Sequence, residues 1–167
     1  MGHVEERHAA FQQRHRESTP SVDAVVAHLR RHGHRVFQPD QQTAPTYADR
    51  FLYRDTGDCF ICIPPIPPAP PFWRLRIEVK AMLASTGTFT AGSTWPFAHY
   101  MVGGVHAFHH GPLWPFAIFR VNPARTWAGL VFGTAQPRWW TEWRRCPDGS
   151  LELTYMTDPD HVRFFPL

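Results

Sequence analysis

Glu78 and Lys80 stand two residues apart in the run RLRIEVKA (residues 74 to 81), and Asp58 lies upstream in GDCFICI (57 to 63). Carboxylates with a nearby ammonium suit phosphoryl chemistry. Carboxylate oxygens are hard ligands, and Mg2+ characteristically takes one or two of them with waters and a substrate phosphate oxygen. An ammonium beside them orients a water or offsets the charge that builds up during attack on phosphorus. In a strand, side chains alternate faces, so Arg74, Arg76, Glu78 and Lys80 share one face and Leu75, Ile77 and Val79 the other. Taken alone, a Glu-Val-Lys triplet on a half-exposed strand is usually a solvated face.

The neighbouring strand gives Glu78 a partner. If CFICI and RLRIE form an antiparallel hairpin across the proline-rich segment PPIPPAPP (64 to 71), Ile61 pairs with Leu75 and Cys59 with Ile77. Asp58 then stands opposite Glu78, and opposed strand residues have Cβ atoms about 4.5–5.5 Å apart. Two carboxylates so close repel unless a cation sits between them. Asp49 and Asp55 are alternatives for the first acid.

The elements around this pair follow from pattern. Residues 4 to 17 read as a polar helix. In TPSVDAVVAHLRRHG, Thr19 caps a second helix with Pro20 at its first position; Val22, Val25, Val26 and Leu29 fall at i, i+3, i+4 and i+7, and Gly33 stops it. HRVFQ is a strand, 39 to 48 a loop, and RFLY and CFICI are β-rich runs separated by a turn. The proline-rich segment is extended, because proline fixes φ. A Gly/Ser/Thr loop (84 to 93) leads to a third helix, with Thr94 as cap and Phe97, Met101, Val105 and Phe108 along one side. LWPFAIFRV, WAGLVFG, LELTY and VRFF are further strand-like runs, with a Pro-Asp-Gly turn at 147 to 149.

An Asp on one strand and Glu-x-Lys on the next, after an N-terminal helix and before another helix and strand, resembles the PD-(D/E)XK nuclease superfamily. Within it the layout looks most like the Holliday-junction resolvases. The matching stretches are AHLRRHGHRVF, GDCFICI, RIEVKA, the loop TGTFTAGSTW, the helix PFAHYMVGG and the strand LWPFAIFRV, covering about residues 20 to 121. The resemblance implies an α/β restriction-endonuclease-like core. Its mixed β-sheet is flanked by helices in the order αβββαβ, with a C-terminal β extension, in a single domain spanning 1 to 167. It further implies a metal-dependent endonuclease that hydrolyses DNA phosphodiesters, with branched DNA as a candidate substrate. Asp58, Glu78 and the Val79 carbonyl would be ligands of Mg2+ or Mn2+, and Lys80 the catalytic lysine. Asp23, Glu5 and Glu6 are candidates for the acid that many members carry on an N-terminal helix, and His99 stands roughly where a Gln often follows Glu-x-Lys. A homodimer is expected of the resolvase subtype, which must cut two strands.

Bulk properties bound this reading. At 167 residues the chain suits one compact domain, and 43% hydrophobic against 19% charged residues argues for a globular protein. The net charge of +3, from 17 Lys and Arg against 14 Asp and Glu, permits a polyanionic partner without demanding one. No stretch of 18 apolar residues exists, so no membrane span is expected. The polar N-terminus does not read as a secretory signal. Three cysteines (Cys59, Cys62, Cys146) fit a reduced, cytoplasmic setting. There is no Gly-rich phosphate loop and no G-x-S-x-G elbow.

Other signals read as structural first. Cys59 and Cys62, three apart on a strand, face opposite ways. His106, His109 and His110 have a helical spacing suited to Zn2+ but lack a nearby carboxylate or Cys. RWWTEWRR (138 to 145) places Arg138, Arg144 and Arg145 among Trp139, Trp140 and Trp143. Guanidinium groups bind phosphates and indoles stack on bases, so this run is a candidate DNA contact, as are Arg74 and Arg76. It equally suits a core cap or a dimer contact. Two competing readings remain: a non-catalytic nucleic-acid-binding or assembly protein with a nuclease-like fold, and an interaction module using the proline-rich segment and the tryptophans.

Overall fold

The structure, a computed structural model, describes residues 2–39, 57–63, 73–110, 113–145 and 151–167. RFLY, the proline-rich segment, the alternatives Asp49 and Asp55, Cys146 and the 147 to 149 turn lie outside them.

Helix α1 runs unbroken from Gly2 to Arg31, where the sequence pattern divides it at Thr19. Pro20 lies inside it, forfeiting one backbone hydrogen bond. One turn on, Val22, Val25, Val26 and Leu29 are all buried as their spacing requires. Strands β1 (Val36–Phe37), β2 (Cys59–Ile63) and β3 (Trp73–Ala81) follow, each antiparallel to the one before.

After β3 the chain departs from expectation. The third helix is instead strand β4 (Tyr100–Gly104) and a short helix α2 (Val105–His110). Two glycines at 103 and 104 each disfavour helix by about 1 kcal/mol. Both also permit close packing: a Cβ on Gly103 would come within 2.7 Å of the Phe108 ring, and one on Gly104 would collide with the Glu152 carboxylate. Tyr100 and Val102 are buried while Met101 between them is less so, the alternation of a strand.

Strand β5 (Ala117–Val121), buried at every position, returns parallel to β3. Next come β6 (Trp127–Phe132), a 3-10 turn (Gly133–Arg138), β7 (Trp140–Arg145), β8 (Leu151–Thr157) and β9 (Arg163–Pro166). Two sheets result. The larger is mixed, in the order β1-β2-β3-β5-β6-β9, and the smaller is antiparallel, in the order β4-β8-β7.

The layers are helix, sheet, sheet. Val22, Val25, Val26 and Leu29 of α1 pack with Cys59, Ile77, Val79, Phe119 and Val121 on one face of the large sheet. On the other face, Ile118 and Val131 meet Tyr100, Val102, Phe108 and Tyr155. The protein is therefore mixed α/β, with helix on one face of the mixed sheet and the small sheet on the other. Among the described residues, no helix is long and apolar enough to cross a membrane.

Candidate active site

The β2–β3 pair adopts the register its alternation requires: Cys59 opposes Ile77 and Ile61 opposes Leu75. One residue beyond the ladder, the Asp58 N–H donates to the Ile77 carbonyl at 3.2 Å. Its carboxylate Oδ2 accepts the Val79 N–H at 2.6 Å, taking the place of the next rung. Both backbone polar groups of a strand residue point to one edge. The Val79 carbonyl therefore faces the Asp58 side as well. Gly57 sets up this approach. Its φ of +93° belongs to glycine, and a Cβ there would press on the Arg76 side chain, 2.9 Å from Cγ.

Glu78 and Arg76 share the opposite face from α1, and each is only 1% exposed. Glu78 Oε1 accepts from Arg76 Nε at 2.7 Å and lies 2.5 Å from Nη2. Oε2 accepts from Lys80 Nζ at 3.1 Å. Arg76 Nη1 donates to the Leu113 carbonyl at 2.9 Å, at the entry to β5. Lys80 is partly exposed, so the cluster opens toward solvent at the lysine. Arg76 and Lys80 bring two positive charges to the two negative charges of Asp58 and Glu78. Burying Glu78 is affordable only on such terms, because an unpaired buried carboxylate costs several kcal/mol.

The field of the acids is felt nearby. Burial, then the charges of Asp58 and Glu78, push the Cys59 thiol up to about 12. Cys59 is thus a packing residue, protonated at neutral pH, and both Cys59 and Cys62 are free thiols. Beside Lys80 in the β3–β5 register lies Arg120, lowered by burial. It donates from Nε and Nη2 to the Met101 carbonyl, at 3.1 and 2.8 Å, and tethers β4 to β5. An arginine inside the apolar run AIFRV was the sequence signal for this tether.

Other expected contributors lie elsewhere. Asp23 is exposed on α1, which covers the far face of the sheet, and accepts from Gln38 at 3.2 Å. Glu5 and Glu6 are exposed near the start of α1. His99 sits 3.8 Å from Asp158 and edge-on to Trp140, by the small sheet. Among the described residues no three His, Cys, Asp or Glu gather to hold a metal, so none of these four completes an acidic set with Asp58 and Glu78. Arg76 corrects another expectation. It was a candidate phosphate contact, but its guanidinium is buried against Glu78 and cannot reach a DNA surface. Arg74 is exposed and lies over the Phe37 ring. Arg138 and Arg145 are exposed, and Arg144 pairs with Glu142 at 3.0 Å on the surface.

Asp58, Glu78 and the Val79 carbonyl offer a set of oxygen donors near this end of the β2–β3 pair. The set suits a hard cation that keeps several waters. Compared with protein-family models, curated proteins and solved structures, the chain matches none.

Proposed function

We propose that the protein is a metal-dependent endonuclease that hydrolyses DNA phosphodiesters, with branched DNA as a candidate substrate. The observation that carries this reading is the Asp58 carboxylate on the Val79 amide, between Glu78 and Lys80, whose own side chains pair at the end of the antiparallel β2–β3 pair. The element order α1-β1-β2-β3-β4-α2-β5 resembles the αβββαβ order of a restriction-endonuclease-like core, with β4 as an added strand before α2. Asp58, Glu78 and the Val79 carbonyl would hold Mg2+ or Mn2+, which would supply a polarised phosphoryl oxygen and an activated water. Lys80 stands at the open end of the cluster, where its ammonium offsets charge gained by a phosphate during attack. Arg76 is a positioning residue: its fork holds the Glu78 carboxylate in one orientation. Cutting two strands would call for a homodimer, as the resolvase subtype implies.

A second reading, a DNA-binding protein with the fold but not the chemistry, is favoured by one feature. Glu78 is already neutralised by two protein cations, so the carboxylates do not require an ion between them. Nicking of supercoiled and cruciform DNA in Mg2+ or Mn2+ separates the two. The nuclease reading predicts cutting by wild type and a loss of about 100-fold or more in Lys80→Ala. Binding without cutting, or equal cutting by Lys80→Ala, establishes the second reading instead.

A further inference from the structure

A pocket of about 390 Å³ lies away from the carboxylates, between α2, the 3-10 turn and β8, lined by His109, Trp114, Thr134, Gln136 and Tyr155 among others. Trp114 is its distinctive feature. It is 38% exposed, yet it is held on several sides. Its ring stacks on Trp139 at 6.2 Å and meets Phe108, His109 and Tyr155 edge-on at 5.4 to 6.0 Å. Its Nε1 donates to the Gly133 carbonyl at 3.3 Å. A Cβ on Gly133 would collide with the Pro115 carbonyl and come within 2.9 Å of that nitrogen. The indole is thus held in place while part of its surface stays exposed beside the pocket. His109 and Tyr155, joined by a 2.8 Å hydrogen bond, form one wall. Thr134 and Gln136 supply donors and acceptors at the rim.

We propose that this pocket receives an unpaired nucleobase of a DNA strand, stacked on Trp114. That the strand is DNA rests on the nuclease reading above. A rigid aromatic face stacks on any base, while Gln136 and Thr134 can address its hydrogen-bonding edge. A paired base, stacked within a duplex, presents neither. The surroundings fit a phosphate chain: exposed Arg138 ends the turn that lines the pocket. A chain of contacts also links the pocket to Glu78. Leu113, adjacent to Trp114, holds Arg76 through its carbonyl, and Arg76 holds Glu78. The preferred substrate is therefore DNA with unpaired bases, such as a junction, flap or single strand.

The test is binding of a labelled oligo-dT of about 12 nucleotides, by fluorescence anisotropy at low salt in EDTA, beside a duplex and an oligo-U of equal length. Wild type is expected to prefer oligo-dT to the duplex and not to prefer oligo-U. Trp114→Ala should weaken binding about tenfold or more, Trp114→Phe should keep most of it, and Thr134→Glu, at an exposed position, should weaken it by charge repulsion. Preference for duplex or RNA overturns the proposal, as does wild-type affinity in a folded Trp114→Ala together with Thr134→Glu. So does a change of oligomeric state in Trp114→Ala with DNA binding intact, which marks a protein contact. Because binding is read without metal, it is independent of cutting: oligo-dT binding beside no nicking in a separate Mg2+ or Mn2+ assay sinks only the nuclease reading, and nicking there with Trp114-independent binding sinks only this one.

Discussion

The two faces of strand β3 solve burial in opposite ways. Toward α1, Ile77 and Val79 meet the valines of the helix in an apolar cluster. Toward the small sheet, Arg76 and Glu78 are equally buried but as an ion pair, extended by Lys80 to the surface. The first face stabilises by removing apolar surface from water. The second gains little net stability from its charges and is costly to disturb. That contrast marks the charged face as the one where chemistry would be kept.

Removing one charge should have the largest effect. Glu78→Ala strands Arg76 in the interior and is expected to cost about 3–5 kcal/mol in urea unfolding. Ile77→Ala, one residue away on the apolar face, should cost about 2–5 kcal/mol by leaving a cavity. The faces then part in their rescue. Arg76→Met with Glu78→Leu should recover most of the Glu78→Ala loss, because apolar replacement of both partners of a buried pair is often neutral. If the double variant is as unstable as Glu78→Ala, the ion pair is more than compensated burial, and the contrast fails.

Smaller effects concern protons. On α1, burial and the neighbouring His32, Arg31 and His34 lower the His28 pKa below its ordinary 6.5, and the ring packs on Phe165. A lowered folded pKa means stability present above pH 6.5 and lost as pH falls through the folded value. His28→Leu should therefore flatten the decline in Tm between pH 6.5 and 5. An unchanged slope would assign acid sensitivity elsewhere. The smallest effect is at Cys59, whose raised pKa predicts a thiol that resists iodoacetamide at pH 8.5 in the folded protein and reacts in urea. Site-resolved mass spectrometry reads both states, and rapid labelling of folded Cys59 would contradict its placement.

Much of the central strand pair was legible because alternation specifies register: a one-residue slip would carry Ile77 and Val79 to the other face. The apolar stripe of α1 was equally plain, although its start was not, since Pro20 reads as a helix boundary and sits inside. Arg76 misled for a reason of range. An alternating charged strand looks wet, and the groups that close on Arg76, Gly57 and the Leu113 carbonyl, come from other parts of the chain. The spacing of Phe97, Met101, Val105 and Phe108 imitates a helix, while the Gly103-Gly104 approach to Phe108 and Glu152 makes a strand. The Cys59–Ile77 register was legible, but Asp58 lies one residue beyond that ladder, and its bond to the Val79 amide at the turn after Gly57 leaves no periodic trace.

In the proposed function, Asp58, Glu78 and the Val79 carbonyl share one divalent ion. Titration of the protein with Mn2+, followed by electron paramagnetic resonance of the free ion, addresses this without any assay of cutting. Wild type should take up one Mn2+ per chain, and a folded Asp58→Asn should lose that uptake. No uptake by wild type at millimolar Mn2+, or equal uptake by Asp58→Asn, would contradict it.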